Sequence, residues 1–262
     1  MLNESIYKKI SQVFSKSNFK IPNLIVILGA TATGKSALAL ELAEKLQTEI
    51  ISADSMMVYK NFNIGTAKPS LEELSRVKHH FVDILEPYEK FSVADFQNAA
   101  SKIISDLNNR GKIPIVAGGT GLYIQALIEG YKFNDYDDID TNGKVKKSLN
   151  SLFKETGSLA YNVEVIGLTM NRQELYRRIN ERTKKMFDDG LVDEVKNLLA
   201  SGVSRNAQAM LGIGYKETLE YLDGTLTLNE TIDKISQATR NFAKRQLTWY
   251  RRMKYIDWHE VS

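Results

Sequence analysis

Apolar residues recur along this chain at two spacings. The short runs Leu24–Leu28 and Ile113–Val116 read as strands buried in a parallel sheet, and Glu49–Ser52 and Val163–Met170 read as further strands. Between them the spacing turns helical. Ala37, Leu38, Leu42 and Leu46 share one side of a helix, and Val93, Phe96, Ala100, Ile103 and Leu107 make a second stripe, opened by Ser92 and Asp95 and closed by Gly111. Ser70 and Glu73 have capping-box spacing for a short helix. Beyond residue 170 only helices are expected. One starts at Asn171, with Glu174 three residues on, and runs to about Asp188. Leu191–Leu199 lies between the stops Gly190 and Gly202, Ile213–Lys216 leads into another helix, and Thr227 with Glu230 opens a last one over about Leu228–Met253. Ile6, Ile10, Val13 and Phe14 predict a short amphipathic helix ahead of the first strand. Strands alternating with helices predict an α/β fold, a parallel sheet flanked by helices with a helical C-terminal part.

The pattern breaks between Tyr131 and Tyr161. Asp135, Asp137, Asp138 and Asp140 crowd together there, followed by Asn142-Gly143 and several lysines, which suits a flexible connection with one helix, Lys144–Phe153, inside it. The chain therefore divides into an N-terminal extension (1–20), an α/β core (21–130), a shortened insertion or junction (131–162), and a returning strand with C-terminal helices (163–262).

The first strand and helix are joined by Gly29-Ala30-Thr31-Ala32-Thr33-Gly34-Lys35-Ser36, which fits G-x-x-x-x-G-K-[ST] in full and makes the sheet P-loop NTPase-like. Glycines let the backbone turn its N–H groups around a phosphate, and the helix N-terminus adds its positive dipole end. Lys35 brings a mobile charge, and Ser36 offers a hydroxyl to Mg²⁺. The loop specifies a diphosphate or triphosphate without naming the molecule that carries it. No hydrophobic strand ending in an aspartate of the Walker B kind follows, so the acid role falls by elimination to Asp54, at the carboxyl end of the second strand, where it can hold Mg²⁺, act as a base, or serve as a turn residue. Ala117-Gly118-Gly119-Thr120-Gly121 is a second glycine-rich turn, weak evidence alone for close approach of a ligand to backbone. Arg178 and Arg182, four apart, share a helix face that is either solvated or part of a site. The adjacent His79 and His80 cannot both face one metal and read as structural.

Composition changes this picture little. Net charge is +3, with 43% hydrophobic and 26% charged residues, ordinary for one generous α/β domain in 262 residues. The absence of cysteine excludes disulfides, thiolate catalysis and cysteine zinc sites. No apolar run is long enough to span a membrane, and the first twenty residues lack the apolar core of a secretory signal. The charge is unevenly placed, with six Lys or Arg and no Asp or Glu between Arg240 and Ile256. That makes a basic face suited to a polyanion larger than a nucleotide, or simply a solvated helix face.

Taken together, GATATGKS, the block Ile51–Pro69 (ISADSMMVYKNFNIGTAKP), HHFVDILEP, Ile113–Tyr123, GLTMNRQELYRRINERTKKMFDDGLVDEV, GIGYKE and KRQLTW resemble the tRNA dimethylallyltransferases over about Leu24–Gly130 and Val163–Trp258. The resemblance implies transfer of a dimethylallyl group from dimethylallyl diphosphate to N6 of the adenosine just 3′ of the anticodon, with Mg²⁺ as cofactor and the tRNA anticodon stem-loop as partner. A cytoplasmic monomer without membrane attachment is expected. It implies Asp54 as the general base, and Thr31 and Arg182 as the residues that hold and neutralise the diphosphate. Asp54, Ser55, Met56, Met57 and Thr120 match positions that touch the flipped-out adenosine or nearby tRNA, as does the segment Leu211, Gly212, Ile213, Gly214, Tyr215 and Lys216. The P-loop would then hold an isoprenoid diphosphate. The related enzymes that prenylate free AMP or ADP, a P-loop nucleotide kinase, and a non-catalytic RNA-binding protein are the competing readings; the basic C-terminal helix weighs against the first, the intact Asp54, Lys35, Ser36 and Arg182 weigh against the last, and the kinase is what the P-loop alone would suggest. One departure stands out. Between Gly130 and Val163 the family has a much longer helical insertion with a His-Pro-Asn-Asp-like motif and an Arg-Ala-Leu-Glu stretch. Its absence means a short form with reduced grip on the anticodon arm, or two segments joined across a missing stretch; the close match of the flanks favours the second.

Overall fold

The structure, a computed structural model, describes residues 2–15, 21–133 and 150–261. The chain runs through α1 (Leu2–Ser15), β1 (Asn23–Gly29), α2 (Lys35–Leu46), β2 (Ile50–Ala53), α3 (Leu71–Arg76), β3 (His79–His80), α4 (Val93–Asn109), β4 (Ile115–Gly118) and α5 (Gly121–Glu129). A two-stranded antiparallel ribbon, β5 (Tyr131–Lys132) with β6 (Asn150–Ser151), and the short α6 (Leu152–Thr156) come before β7 (Asn162–Thr169). Then follow α7 (Arg172–Asp188), α8 (Leu191–Ala200), α9 (Tyr215–Leu222), α10 (Leu228–Tyr250) and β8 (Asp257–Glu260). Six strands form one parallel sheet in the order β3-β2-β4-β1-β7-β8.

All seven residues of β1 are buried, as its place inside a doubly covered sheet requires. Successive side chains take opposite faces. Ile25 and Ile27 join Ile6 and Ile10 of α1 and Leu38 and Leu42 of α2, whereas Leu24, Val26 and Leu28 join Phe96, Ala100 and Ile104 of α4 and Ile124 of α5. The capping boxes at Ser70, Ser92 and Thr227 form as their spacing predicts. Both histidines have partners within the protein: His79 Nδ1 donates to Val77 O, and His80 Nε2 is 2.7 Å from the Glu49 carboxylate; His79 also lines the cavity described below. Among the described residues no helix is long and apolar enough to cross a membrane.

Several expectations shift. Ala37 is exposed and Ala39 and Ala43 are buried, so α2 faces the sheet slightly rotated from the predicted stripe. In α4 it is Ile104 that is fully buried, with Ile103 half-buried. The last helix ends at Tyr250 rather than Met253. The acidic cluster Asp135–Asp140 and the first part of the expected helix, 144–149, lie outside the described residues. Its remainder is corrected: Asn150 and Ser151 pair with β5, and the helix runs over Leu152–Thr156 because the Ser151 hydroxyl caps the Lys154 N–H.

The helix α1 belongs to the core, with Ile6 and Ile10 each 1% exposed and Lys9 donating to Glu164 and Asp257. Replacing Ile10 with Ala should lower the unfolding free energy by about 2–5 kcal/mol. Urea denaturation reads this directly, and a change under about 0.5 kcal/mol would mean that α1 does not dock.

Candidate active site

At the carboxyl ends of β1, β2 and β4 the sheet opens into a cavity of about 690 Å³. This is the crevice where open α/β sheets take their ligands. Between β1 and α2 the chain turns through a left-handed Gly34, φ +88°, the conformation that a side chain disfavours. Thr31, Ala32, Gly34, Lys35 and Ser36 line the cavity; Gly29, Ala30 and Thr33 form the scaffold behind them. Thr33 Oγ1 donates to Ala30 O at 2.8 Å, and a Cβ on Gly29 would stand 2.4 Å from Leu168 O. Lys35 folds back over its own loop, Nζ donating to Ala30 O at 2.7 Å.

The opposite wall comes from α7. Arg182 Nη2 donates to Thr31 Oγ1 at 2.7 Å, across 151 residues of sequence. Arg178 also lines the cavity, but its Nε donates to Glu174 Oε1 at 2.8 Å, so the two arginines of that face have different surroundings. Burial, helped by the neighbouring Arg182 and opposed by Asp54, lowers the Lys35 pKa to about 8. Burial also pulls Arg182 below its ordinary value, again against Asp54. Two cations beside one carboxylate leave room for a polyanion, and perturbed groups in a cleft mark a functional site.

Asp54 follows β2 and lines the same cavity. Its Oδ1 accepts the Met56 N–H at 2.9 Å. The Ser55 N–H donates to Thr120 Oγ1 at 3.1 Å, and the Thr120 N–H donates to Ala53 O at 3.0 Å, which ties the second glycine turn to the loop bearing Asp54. Ser55, Met56, Met57 and Thr120 all line the cavity, as do Leu211, Gly212, Ile213, Gly214 and Tyr215; Lys216 is exposed and outside the wall. Residues 211–214 form the turn before α9, and Tyr215 and Lys216 open that helix; the turn packs on Met56, where a Cβ on Gly212 would stand 2.6 Å from Met56 Cε.

Two residues in this region were not singled out from the sequence. Gln246 of α10 accepts the Thr31 N–H through Oε1 at 2.8 Å and donates from Nε2 to Gly119 O at 2.9 Å. Glu194 of α8 accepts the N–H groups of Asn63, Ile64 and Gly65 and the Tyr215 hydroxyl, bracing a loop on the cavity rim. The block KRQLTW contains Gln246, but nothing in its local pattern reveals a partner 215 residues away.

The model of the IPP transferase family matches residues 57–158 and 140–253. The chain belongs to this family, that of the tRNA dimethylallyltransferases. The chain is 40% identical to the tRNA dimethylallyltransferase of Anoxybacillus flavithermus, an alignment covering 91% of this chain and 90% of that protein. The crystal structure of the full-length tRNA isopentenylpyrophosphate transferase from Bacillus halodurans superimposes with a TM-score of 0.79 at 39% identity, covering 91% and 90% of the two chains. A eukaryotic dimethylallyltransferase solved acting on tRNA gives 0.74 at 25% identity, over 91% of this chain and 74% of that one. The Anoxybacillus alignment extends over 282 positions, more than this chain's 262 residues, so the relative carries residues without a counterpart here.

Because Lys35 titrates near 8, its charge is lost as pH rises through that value. Affinity for inorganic diphosphate should therefore fall above about pH 8, by up to about tenfold per unit. Lys35→Arg, whose charge persists, should remove the part of the slope that belongs to the protein. Calorimetric titrations at several pH values measure it; parallel slopes in the two proteins would locate the titration elsewhere.

Proposed function

We propose that this enzyme transfers a dimethylallyl group from dimethylallyl diphosphate to N6 of the adenosine 3′-adjacent to the anticodon, releasing diphosphate. The carrying observation is the single cavity that sets the Asp54 carboxylate opposite Lys35 and Arg182. The names of the relatives support the tRNA substrate, and the six basic residues between Arg240 and Ile256 support a large RNA over a mononucleotide.

The allylic C1–O bond breaks with its electron pair leaving on the diphosphate. Lys35, Arg182, the Thr31 hydroxyl and the amides at the start of α2 stabilise that developing charge. N6 forms the new bond to C1 and loses a proton to the Asp54 carboxylate, a transfer worth about 10²–10⁴-fold. Met56 N–H holds Oδ1 in place, and Oδ2 of the same carboxylate is the oxygen that would take the proton. The adenine has to leave its stack to reach a carboxylate inside a cavity. The Thr120, Met57 and Leu211–Tyr215 walls are the surfaces that would receive it.

For Mg²⁺ the donors present are the Ser36 hydroxyl and the Asp54 carboxylate, and among the described residues no group of three His, Asp or Glu gathers. Such a set suits a small hard ion that keeps its waters and takes most ligands from diphosphate oxygens. Bound there by Ser36, it would add charge neutralisation on the leaving group. On this reading the protein is a cytoplasmic monomer, with residues 21–130 supplying the phosphate loop and Asp54, and 163–262 supplying Arg182 and a basic face for tRNA.

Asp54→Asn keeps hydrogen bonds to the adenine amine but accepts no proton. Turnover should fall about 10²–10⁴-fold with tRNA affinity nearly unchanged; lost diphosphate affinity partly restored by excess Mg²⁺ would make Asp54 chiefly a metal ligand. The basic turn that follows α10 gives a separate check. Arg251, Arg252 and Lys254 are exposed. Their joint replacement by Ala should weaken tRNA binding and flatten its salt dependence by up to about three counterions, leaving dimethylallyl diphosphate binding unchanged. An unaltered salt slope would show that the face is only solvated.

A further inference from the structure

The β1–β4 ladder ends at the pair Leu28 and Gly118. Past that pair the two strands diverge, one into the phosphate loop and the other into the second glycine turn, and the sheet supplies no rung between them. The side-chain amide of Gln246 takes that place. Like a peptide group, it accepts from one side, the Thr31 N–H at 2.8 Å, and donates to the other, Gly119 O at 2.9 Å. The residue is 5% exposed, so these bonds are withdrawn from competing water. Gly119 is shaped to the same contact: a Cβ there would stand 2.4 Å from Gln246 Nε2. Each partner carries one half of the site. Thr31 takes the Arg182 guanidinium on its hydroxyl, and Thr120, next to Gly119, holds the Ser55 N–H beside Asp54.

We infer that Gln246 is a positioning residue whose amide fixes the separation between the leaving-group half of the site and the base half, and through it the rate of the chemical step. The residue type follows from the task. Glutamine combines a donor and an acceptor on one rigid group. Asparagine is one methylene short, and an ionised glutamate offers only acceptors, one of which would face Gly119 O. A misplacement of about 1 Å is enough to cost about 10²-fold in rate when reacting atoms must align.

The inference rests on the prenyl-transfer reading, and the test keeps the two apart. Gln246→Leu, similar in volume but without hydrogen bonds, should lower the single-turnover rate with tRNA and dimethylallyl diphosphate about 100-fold. The KM for each substrate should change less than about threefold. Gln246→Glu supplies a pH signature. Once protonated, its carboxyl group is isosteric with the amide, donating to Gly119 O while accepting from Thr31 N–H. Its rate relative to wild type should therefore rise at least about fivefold from about pH 8 to about pH 6, a change that a general loss of packing would not produce. Independently of turnover, the Thr31 amide should exchange with solvent at least about tenfold faster in Gln246→Leu. Should the leucine variant fail to fold, the glutamate variant carries the exchange measurement, above and below its titration. A flat pH ratio, KM values that rise as far as the rate falls, or unchanged Thr31 exchange would overturn the assignment. Wild type inactive on both substrates would instead reject the prenyl-transfer reading, and the exchange experiment would still judge the clamp.

Discussion

Lys35 and Arg182 are held in one cavity with like charges facing the same space, and much of the site is arranged around that repulsion. Burial and mutual proximity depress the lysine, and burial depresses the arginine. What compensates is partial: the Ala30 carbonyl on Lys35, the Thr31 hydroxyl on Arg182, and a carboxylate near both. Such a pocket is electrostatically incomplete until a multiply charged anion enters, and under the proposed function groups already in position would favour that anion's departure. Preorganised charge of this kind stabilises a leaving group without reorganisation at the moment of reaction.

The topology explains how residues so far apart in sequence share this space. The parallel strands β1, β2 and β4 all deliver their loops to one end of the sheet, which brings the phosphate loop, the Asp54 loop and the second glycine turn together. β7 adds α7 beside them, and α10 packs against α7, joined by Arg240 Nη1 donating to Asn180 Oδ1 at 2.6 Å. The C-terminal helices thus close the cavity as well as bearing its basic rim. Glu194 extends this closure to the loop 63–65 through three backbone amides and Tyr215, whose ring leaves no room for a side chain at Gly65: a Cβ there would stand 2.5 Å from it.

Two elements escaped the periodicity for identifiable reasons. α5 buries Tyr123, Ile124, Ala126, Leu127, Ile128 and even Glu129, which accepts from Gln125 Nε2 and the Tyr255 hydroxyl. A helix buried nearly all round has no polar face, so no 3.6-residue alternation marks it. β8 is the four-residue edge strand Asp-Trp-His-Glu, half-buried, and it exists because β7 offers it a free parallel edge.

The sequence by itself determined what depends on neighbours in the chain. The phosphate loop, the buried strands, the caps at Ser70, Ser92 and Thr227 and the α1 stripe all arise from contacts a few residues apart, whose geometry the backbone enforces. Blocks similar to a known family also named residues, among them Thr31, Lys35, Asp54, Thr120 and Arg182, that the fold brings to one cavity. Only the tertiary structure decided which of two arginines on one helix face reaches Thr31, that Lys216 lies off the cavity wall while its neighbours line it, and that Gln246 joins two loops. Those outcomes hang on contacts spanning more than a hundred residues, and the side chains that make them carry no local signature, because the partner that gives each its role is supplied by the fold.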